Sequence, residues 1–461
     1  MSTLTKTGKI TNFKNYAAIS LGILGAQGLG VAFINSFFSF VYTEYIGVSA
    51  AIVGVVLALA TLVDGVFDFG MGVVMDRFQT KHGKAKHWFL WMSIPLAIST
   101  GLVFYAPLNA STTVKVIYMV VIYNIYSLLV TTVRLPANTL PALISDDSKI
   151  RATGSFCIAI WATLGGMIVN VMANPAVQAF GGGLDGYRKF LVILAVIMGV
   201  FTFAAFFFVT EVRTPDGEKV STQEKDQISV LGQFKNLFKN KFWIIQQGMT
   251  IPYYFSTGIL MGAMAYFSTY VLGDVSFVGI MTICCMGGMV AGTVITLPLS
   301  RKIDGRLICI AAGILGIAGV ILELMFVSSN LMIYFVGLII TGLACGAMTG
   351  MDAALTARTI DYGEWKNGVR QEGLCYSGKA VLQKISAALA SSILGFALTA
   401  SGYVGGSGVV SDSVVSTLKT MVIVVPGILY VIYTISAYFF KLTDQRVGEI
   451  QAELRAKRGE N

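Results

Sequence analysis

Long apolar runs alternate with short polar connections from one end of the chain to the other. Twelve runs lie near residues 17–42, 50–75, 88–107, 115–140, 153–175, 188–210, 243–271, 274–299, 306–327, 331–357, 374–400 and 415–440. A helix needs about 20 apolar residues to cross about 30 Å of hydrocarbon, and these runs meet that length. Backbone groups in lipid must be satisfied within the segment, so the runs are predicted to be α-helices. The longest polar stretch, EVRTPDGEKVSTQEKDQISVLGQFKNLFKNK, separates the sixth run from the seventh. It reads as a linker with a short amphipathic helix. The expected organisation is an all-α membrane protein. It has a six-helix half (1–211), a middle loop (212–240), a second six-helix half (241–441) and a tail (442–461).

Composition agrees with this pattern. Hydrophobic residues make up 55% of the 461 positions and charged residues only 12%, against about 25% charged in soluble domains. The net charge of +9 follows membrane orientation and gives no reason to expect nucleic acid. Arg77, Lys81, Lys84 and Lys86 connect the second and third runs. Arg301, Lys302 and Arg306 connect the eighth and ninth, and Lys366 and Arg370 the tenth and eleventh. The N-terminus, linker and tail are basic as well, whereas TEYIGVSA, VLGDVSFVG and SGYVGGSGVVSDS carry no Lys or Arg. The positive-inside rule therefore places both termini in the cytoplasm. GVVMDRFQTKHGK after the second run and LPLSRKIDGR after the eighth form a weak internal repeat, as expected of two related halves. No cleavable signal peptide is visible. The six cysteines show no metal or disulfide spacing.

Ionisable residues inside the runs are the candidates for function, because each is costly in hydrocarbon. Asp64 and Asp68 are four residues apart and share one helix face. Two close carboxylates repel, and a proton or a cation relieves the repulsion. Arg134, in the fourth run, can hold a carboxylate or sulfonate bidentately; alternatively it pairs with Asp64 or Asp68 and fixes the bundle. Pro136 should bend the same helix. Asp352 is a buried acid that can pair with Lys379 or Lys384, and Tyr376 and Gln383 flank those lysines. Trp161 can stack on a ring-shaped substrate or simply pack. Asp76 with Arg77, and Arg358 with Asp361, read as gating or helix-end ion pairs. Glu323 is isolated, with a lipid-interface or interhelical contact as its expected role. GAQGLG and GGMVAG are packing devices, since no Walker lysine follows. No nucleophile–base pair argues for an enzyme.

Two segments carry a resemblance to a known family. VDGVFDFGMGVVMDRFQTKHGKAKHWFLW is similar to the second-helix signature of the glycoside–pentoside–hexuronide:cation symporters, a branch of the major facilitator superfamily. TIDYGEWKNGVRQEGLCYSGKAVLQKISAALA resembles that family's tenth-to-eleventh connection, and with PGILYVIYTISAYFFKLTD the likeness covers nearly the whole chain. The resemblance implies a major facilitator fold and cation-coupled sugar uptake by alternating access. In melibiose-permease-like members the cation site uses two second-helix acids and a fourth-helix hydroxyl. The matching residues are Asp64, Asp68 and Thr131. Phe67 stands where an asparagine is often found, which removes an oxygen and moves the expectation from Na+ toward H+.

The sugar pocket departs further. Arg134 replaces a sugar-binding acid and Gly28 another, leaving Gln27 as the nearest polar group. Asn138 replaces an aromatic residue, Ala159 replaces an arginine, and Lys384 matches the eleventh-helix lysine. The reversed sign at Arg134 implies an anionic substrate such as a glucuronide, hexuronate or sulfonated sugar. Alternatives are a neutral glycoside with Arg134 structural, a lysolipid carrier, or a non-transporting membrane sensor. The expected partners are a small-molecule sugar and membrane lipid, with no nucleic acid and no cofactor beyond the coupling H+ or Na+. The protein is expected to be a monomer of the bacterial inner membrane.

Overall fold

The structure is a computed structural model that describes residues 14–77, 85–144, 148–209, 237–368, 372–406 and 410–458. The expected linker helix lies outside these residues. The apolar runs fold as long helices: α1 Lys14–Glu44, α2 Ala50–Arg77, α3 Lys86–Leu102, α4 Thr112–Ile144, α5 Ser148–Ala179 and α6 Gly183–Phe208. After the linker come α7 Lys241–Tyr270, α8 Phe277–Leu299, α9 Gly305–Phe326, α10 Leu331–Asn367, α11 Glu372–Ala400 and α12 Asp412–Phe439. Among the described residues, ten helices are long and apolar enough to cross a membrane. The other two of these twelve are α3, only 17 residues long, and α7, whose first half carries Gln246, Gln247 and Thr250. A further helix, α13 Asp444–Arg458, lies in the expected tail.

The chain forms two compact units. Unit 1 comprises Met1–Glu218, Ser268–Gly279 and Ser392–Val414; unit 2 comprises Lys219–Phe267, Ile280–Ser391 and Val415–Asn461. The ends of α7 and α11 therefore cluster with α1–α6 rather than with the helices they continue. Glu44, the last residue of α1, gives a physical reason. Its carboxylate accepts from the hydroxyls of Tyr270 and Tyr403 and, at 2.8 Å, from the Gly406 N–H. Nearby in unit 1, Phe33, Phe37, Phe190 and Tyr187 form an aromatic cluster with ring centroids 5.0–6.0 Å apart.

Two features of unit 1 set up the site described below. A π turn at Leu24–Gly28 interrupts α1, and such turns add a residue that re-aims neighbouring side chains. Helix α4 runs through Pro136 and Pro141. Proline cannot donate to the helical ladder, so Pro136 and Pro141 leave the carbonyls of Thr132 and Ala137 without their usual helical N–H donors.

In unit 2, α8 and α10 meet through glycines. Gly288 and Gly292 of GGMVAG face Gly342 and Leu343, and Gly346 faces Met289. Small residues let helix backbones approach closely where no hydrophobic force drives association in lipid. Glu323 joins α9 to α10: it is buried and accepts from Thr341 Oγ1 at 2.6 Å. Its role is thus interhelical. Helix α13 is not a loose tail. Gln451 donates to Asp361, Glu453 accepts from Trp365 Nε1 at 2.6 Å, and Asp444 pairs with Arg358 at 2.5 Å.

A Cβ on Gly346 would sit on the Met289 carbonyl, with its carbon 2.8 Å away. Gly346→Ala should therefore force α8 and α10 apart at a cost of about 1–3 kcal/mol, typical of added volume in a packed interface. Gly448 on α13 has open space around it, so Gly448→Ala should leave stability unchanged or slightly raised. Thermal unfolding of the purified variants in detergent, followed by tryptophan fluorescence, checks both.

Candidate functional site

Helices α2 and α4 of unit 1 meet along the segment that carries both predicted acids. Asp64 and Asp68 lie one turn apart on α2, and Ser127, Thr131 and Arg134 recur at i, i+4 and i+7 on α4. These spacings align five polar side chains in one seam between apolar helices. Asp64 Oδ1 accepts from Thr131 Oγ1 at 2.8 Å and from Ser127 Oγ at 3.2 Å. Its Oδ2 lies 3.5 Å from Arg134 Nη2. The same nitrogen is 3.0 Å and 3.2 Å from the two oxygens of Asp68, and 3.2 Å from Thr131 Oγ1.

Arg134 offsets part of the charge of the two carboxylates, and the hydroxyls of Ser127 and Thr131 spread part of the charge on Asp64. The side chains of Asp64, Asp68 and Arg134 are 14%, 29% and 31% exposed, so the cluster is partly desolvated yet reachable from one side. All contacts that Arg134 makes among the described residues run through Nη2. Its Nε and Nη1 face no acid there. The donor set of Asp64, Asp68 and Thr131 supplies hard oxygens, which suit H+ or Na+. A monovalent cation between the two acids would stand close to Arg134 Nη2, so the fit improves when that nitrogen withdraws. No group of three or more His, Cys, Asp or Glu that could hold a metal occurs among the described residues.

Sequence reasoning found Asp64, Asp68, Thr131 and Arg134, but missed Ser127. Its signal was present: Ser127 precedes Thr131 by one helical turn and therefore shares its face.

The other unit 1 candidates sit on α1, α4 and α5. Gln27 lies on the π turn and donates to Asn138 Oδ1 at 3.4 Å, a long bond. Gly28 packs against α5, where a Cβ would lie 3.3 Å from the Trp161 carbonyl oxygen and 3.4 Å from Gly165 Cα, a tight fit. Trp161 itself is half-buried. Asp76 and Arg77 end α2, but their side chains lie outside the described residues.

Unit 2 brings together a second set. Lys379 pairs with Asp352 at 2.5 Å and donates to Thr356 Oγ1 at 3.1 Å. Of the two lysines expected to compete for Asp352, Lys379 holds it. Lys384 and Gln383 are half-buried further along α11, and Tyr376 is exposed. Arg358 has Asp444 of α13 as its partner, while Asp361, its expected partner, accepts from Gln451 at 2.8 Å. The correction has a simple cause: α13 docks alongside the end of α10 and supplies its own acid to the arginine.

Comparisons with known proteins bear on this arrangement. The family model described as MFS/sugar transport protein matches residues 18–444. The isoprimeverose transporter of Lactiplantibacillus pentosus is 29% identical over 434 residues, covering 94% of this chain and 89% of that protein. A putative sulfoquinovose importer of Escherichia coli (strain K12) is 25% identical over 460 residues, covering 97% and 94%. Among solved structures, a bacterial homologue of the human lysosomal transporter Spinster superposes with a TM-score of 0.68 at 13% identity. The match covers 95% of this chain and 97% of that one, and it shows a common fold. The long helices, the matched family model and the motifs that resemble the glycoside–pentoside–hexuronide:cation symporters converge, and the chain belongs to the MFS/sugar transport protein family, whose matched relatives are transporters and not enzymes.

Proposed function

We propose that this protein is a cation-coupled symporter of an anionic sugar, a glucuronide, hexuronate or sulfonated sugar, in the bacterial inner membrane. The observation that carries the reading is Arg134, which holds Asp64 and Asp68 through Nη2 alone. A two-point grip on an incoming carboxylate or sulfonate uses Nη2 together with Nε or Nη1, so the substrate competes with the two acids for Nη2. As the guanidinium turns toward the substrate, it loosens its hold on the acids. The acids then carry two negative charges with less compensation, which favours binding of H+ or Na+. Substrate and coupling ion thus promote each other's binding through one shared arginine, and each gains affinity by the same factor.

The E. coli relative named as a putative sulfoquinovose importer would handle a sulfonated sugar, which fits the anionic reading. The L. pentosus relative named as an isoprimeverose transporter favours the second reading, a neutral glycoside with Arg134 purely structural. Lys384, Asn138, Gln27 and Trp161 are the further polar and aromatic groups assigned to sugar contact, and the working unit is taken as a monomer. H+ is favoured over Na+ because Phe67 supplies no ligand oxygen.

The coupling role is tested in proteoliposomes with an imposed H+ or Na+ gradient. Asp68→Asn should abolish uphill accumulation while leaving sugar counterflow measurable. Concentrative uptake by this variant would sink the coupling assignment. Arg134→Gln separates the two substrate readings. A charge-assisted hydrogen bond contributes about 1.5–3 kcal/mol, so uronate affinity should fall at least roughly tenfold. Neutral glycosides should lose little by comparison. The same variant removes the Arg134 guanidinium from both acids. Its thermal midpoint should therefore rise on addition of Na+ by more than that of the wild type. Equal responses in the two proteins would remove Arg134 from the cation site.

A further inference from the structure

Unit 2 contains a small pocket with several polar side chains in its lining. Gln246 and Thr250 lie one turn apart on α7, and Met348 and Asp352 one turn apart on α10, so both pairs line it, together with Met249 and Tyr253. Its free volume is about 10 Å³, the space of a single water or one hydroxyl group.

The amide of Gln246 has a defined orientation. Its Nε2 faces two acceptors, Thr356 Oγ1 at 2.6 Å and the Asp352 carbonyl at 3.1 Å. The Thr356 hydroxyl spends its own proton on the Asp352 carbonyl at 2.8 Å and also receives Lys379 Nζ. Exchanging the amide oxygen and nitrogen would set acceptor against acceptor. The oxygen Oε1 is therefore the free end. It is buried and has no hydrogen-bond partner, and Gln246 is only 1% exposed. A buried acceptor left unsatisfied is costly, so it calls for a donor.

The rest of the pocket defines that donor. Asp352 Oδ2 is held by Lys379 at 2.5 Å, which cancels the carboxylate's charge. Thr250 Oγ1 reaches Asp352 Oδ1 only at 3.5 Å, a stretched contact that leaves its hydroxyl able to turn. Tyr253 is already engaged with Thr349 Oγ1 at 2.7 Å. A cation finds no uncompensated charge here. An anion would meet two acceptor oxygens. A neutral hydroxyl fits, because it both donates and accepts, and the thioether side chains of Met249 and Met348 suit the C–H groups beside it.

We propose that Gln246, Thr250 and Asp352 form a specificity subsite for one hydroxyl of the transported sugar. That hydroxyl donates to Gln246 Oε1 and accepts from Thr250 Oγ1, and Asp352 Oδ1 takes a second hydroxyl proton at the pocket's mouth. The inference rests on the sugar-transport reading and deepens it by assigning polar contacts on α7. Before sugar enters, a water fills the same space and is displaced by the hydroxyl.

The test is calorimetric titration of purified protein with isoprimeverose, methyl β-D-glucuronide and methyl α-D-sulfoquinovoside, then with each monodeoxy analogue of the tightest binder. For one analogue the wild type should lose about tenfold in affinity. Gln246→Met and Thr250→Val should each lose about tenfold on the parent sugar, yet bind that analogue as the wild type does. Thr250→Val preserves shape and breaks only the stretched 3.5 Å contact, so it covers the case in which Gln246→Met fails to fold. Equal losses on the parent and on every deoxy analogue would make the residues structural. Unchanged affinity in both variants would show that the pocket holds water only. Either result overturns the subsite. Binding of none of the three sugars by the wild type would instead overturn the sugar reading itself.

Discussion

A guanidinium between two carboxylates, inside apolar helices, is the interaction on which unit 1 depends. Any one of Asp64, Asp68 or Arg134 alone would carry a large desolvation penalty in hydrocarbon. Together they compensate one another, and only when α2 and α4 lie side by side in the register that aligns them. Ser127 and Thr131 complete the arrangement by donating to Asp64. In the coupling proposed above, partial compensation is the useful part, since an uncompensated pair of acids would hold an ion too tightly to release it.

Unit 2 handles its charges by the same logic with different residues. Lys379 and Asp352 pair at 2.5 Å, Arg358 pairs with Asp444, and Glu323 is held by Thr341. Each of these unit 2 groups has its partner within unit 2. The glycine contacts between α8 and α10 add packing that does not depend on side-chain charge.

Much of this was legible in the chain itself. Span positions follow from length and hydropathy, because lipid permits no other use for such runs. The acid pair, Thr131 and Arg134 stand out because ionisable and hydroxyl residues at helical spacing are conspicuous in apolar sequence. The misses share a cause. Ser127 and Gln246 are uncharged and common enough in membrane helices to pass as packing; their partners, Asp64 on α2 and Thr356 on α10, come from other helices. Arg358 has an acid three residues away in sequence, yet its partner comes from α13, 86 positions on. Glu44 lies in the connection TEYIGVSA, and only the fold brings Tyr270 and Tyr403 onto its carboxylate.

The sequence by itself determined the class of protein, the order of its helices, the family it belongs to and the face of α2 that carries both acids. Those properties depend on local composition and on spacing along one helix, which a linear chain states directly. Only the tertiary structure decided which cation meets Asp64 and Asp68, which lysine holds Asp352, and which buried oxygen is left wanting a donor. Each of these depends on side chains from helices far apart in the chain, and their register is set by packing rather than by any repeat that can be read along the sequence.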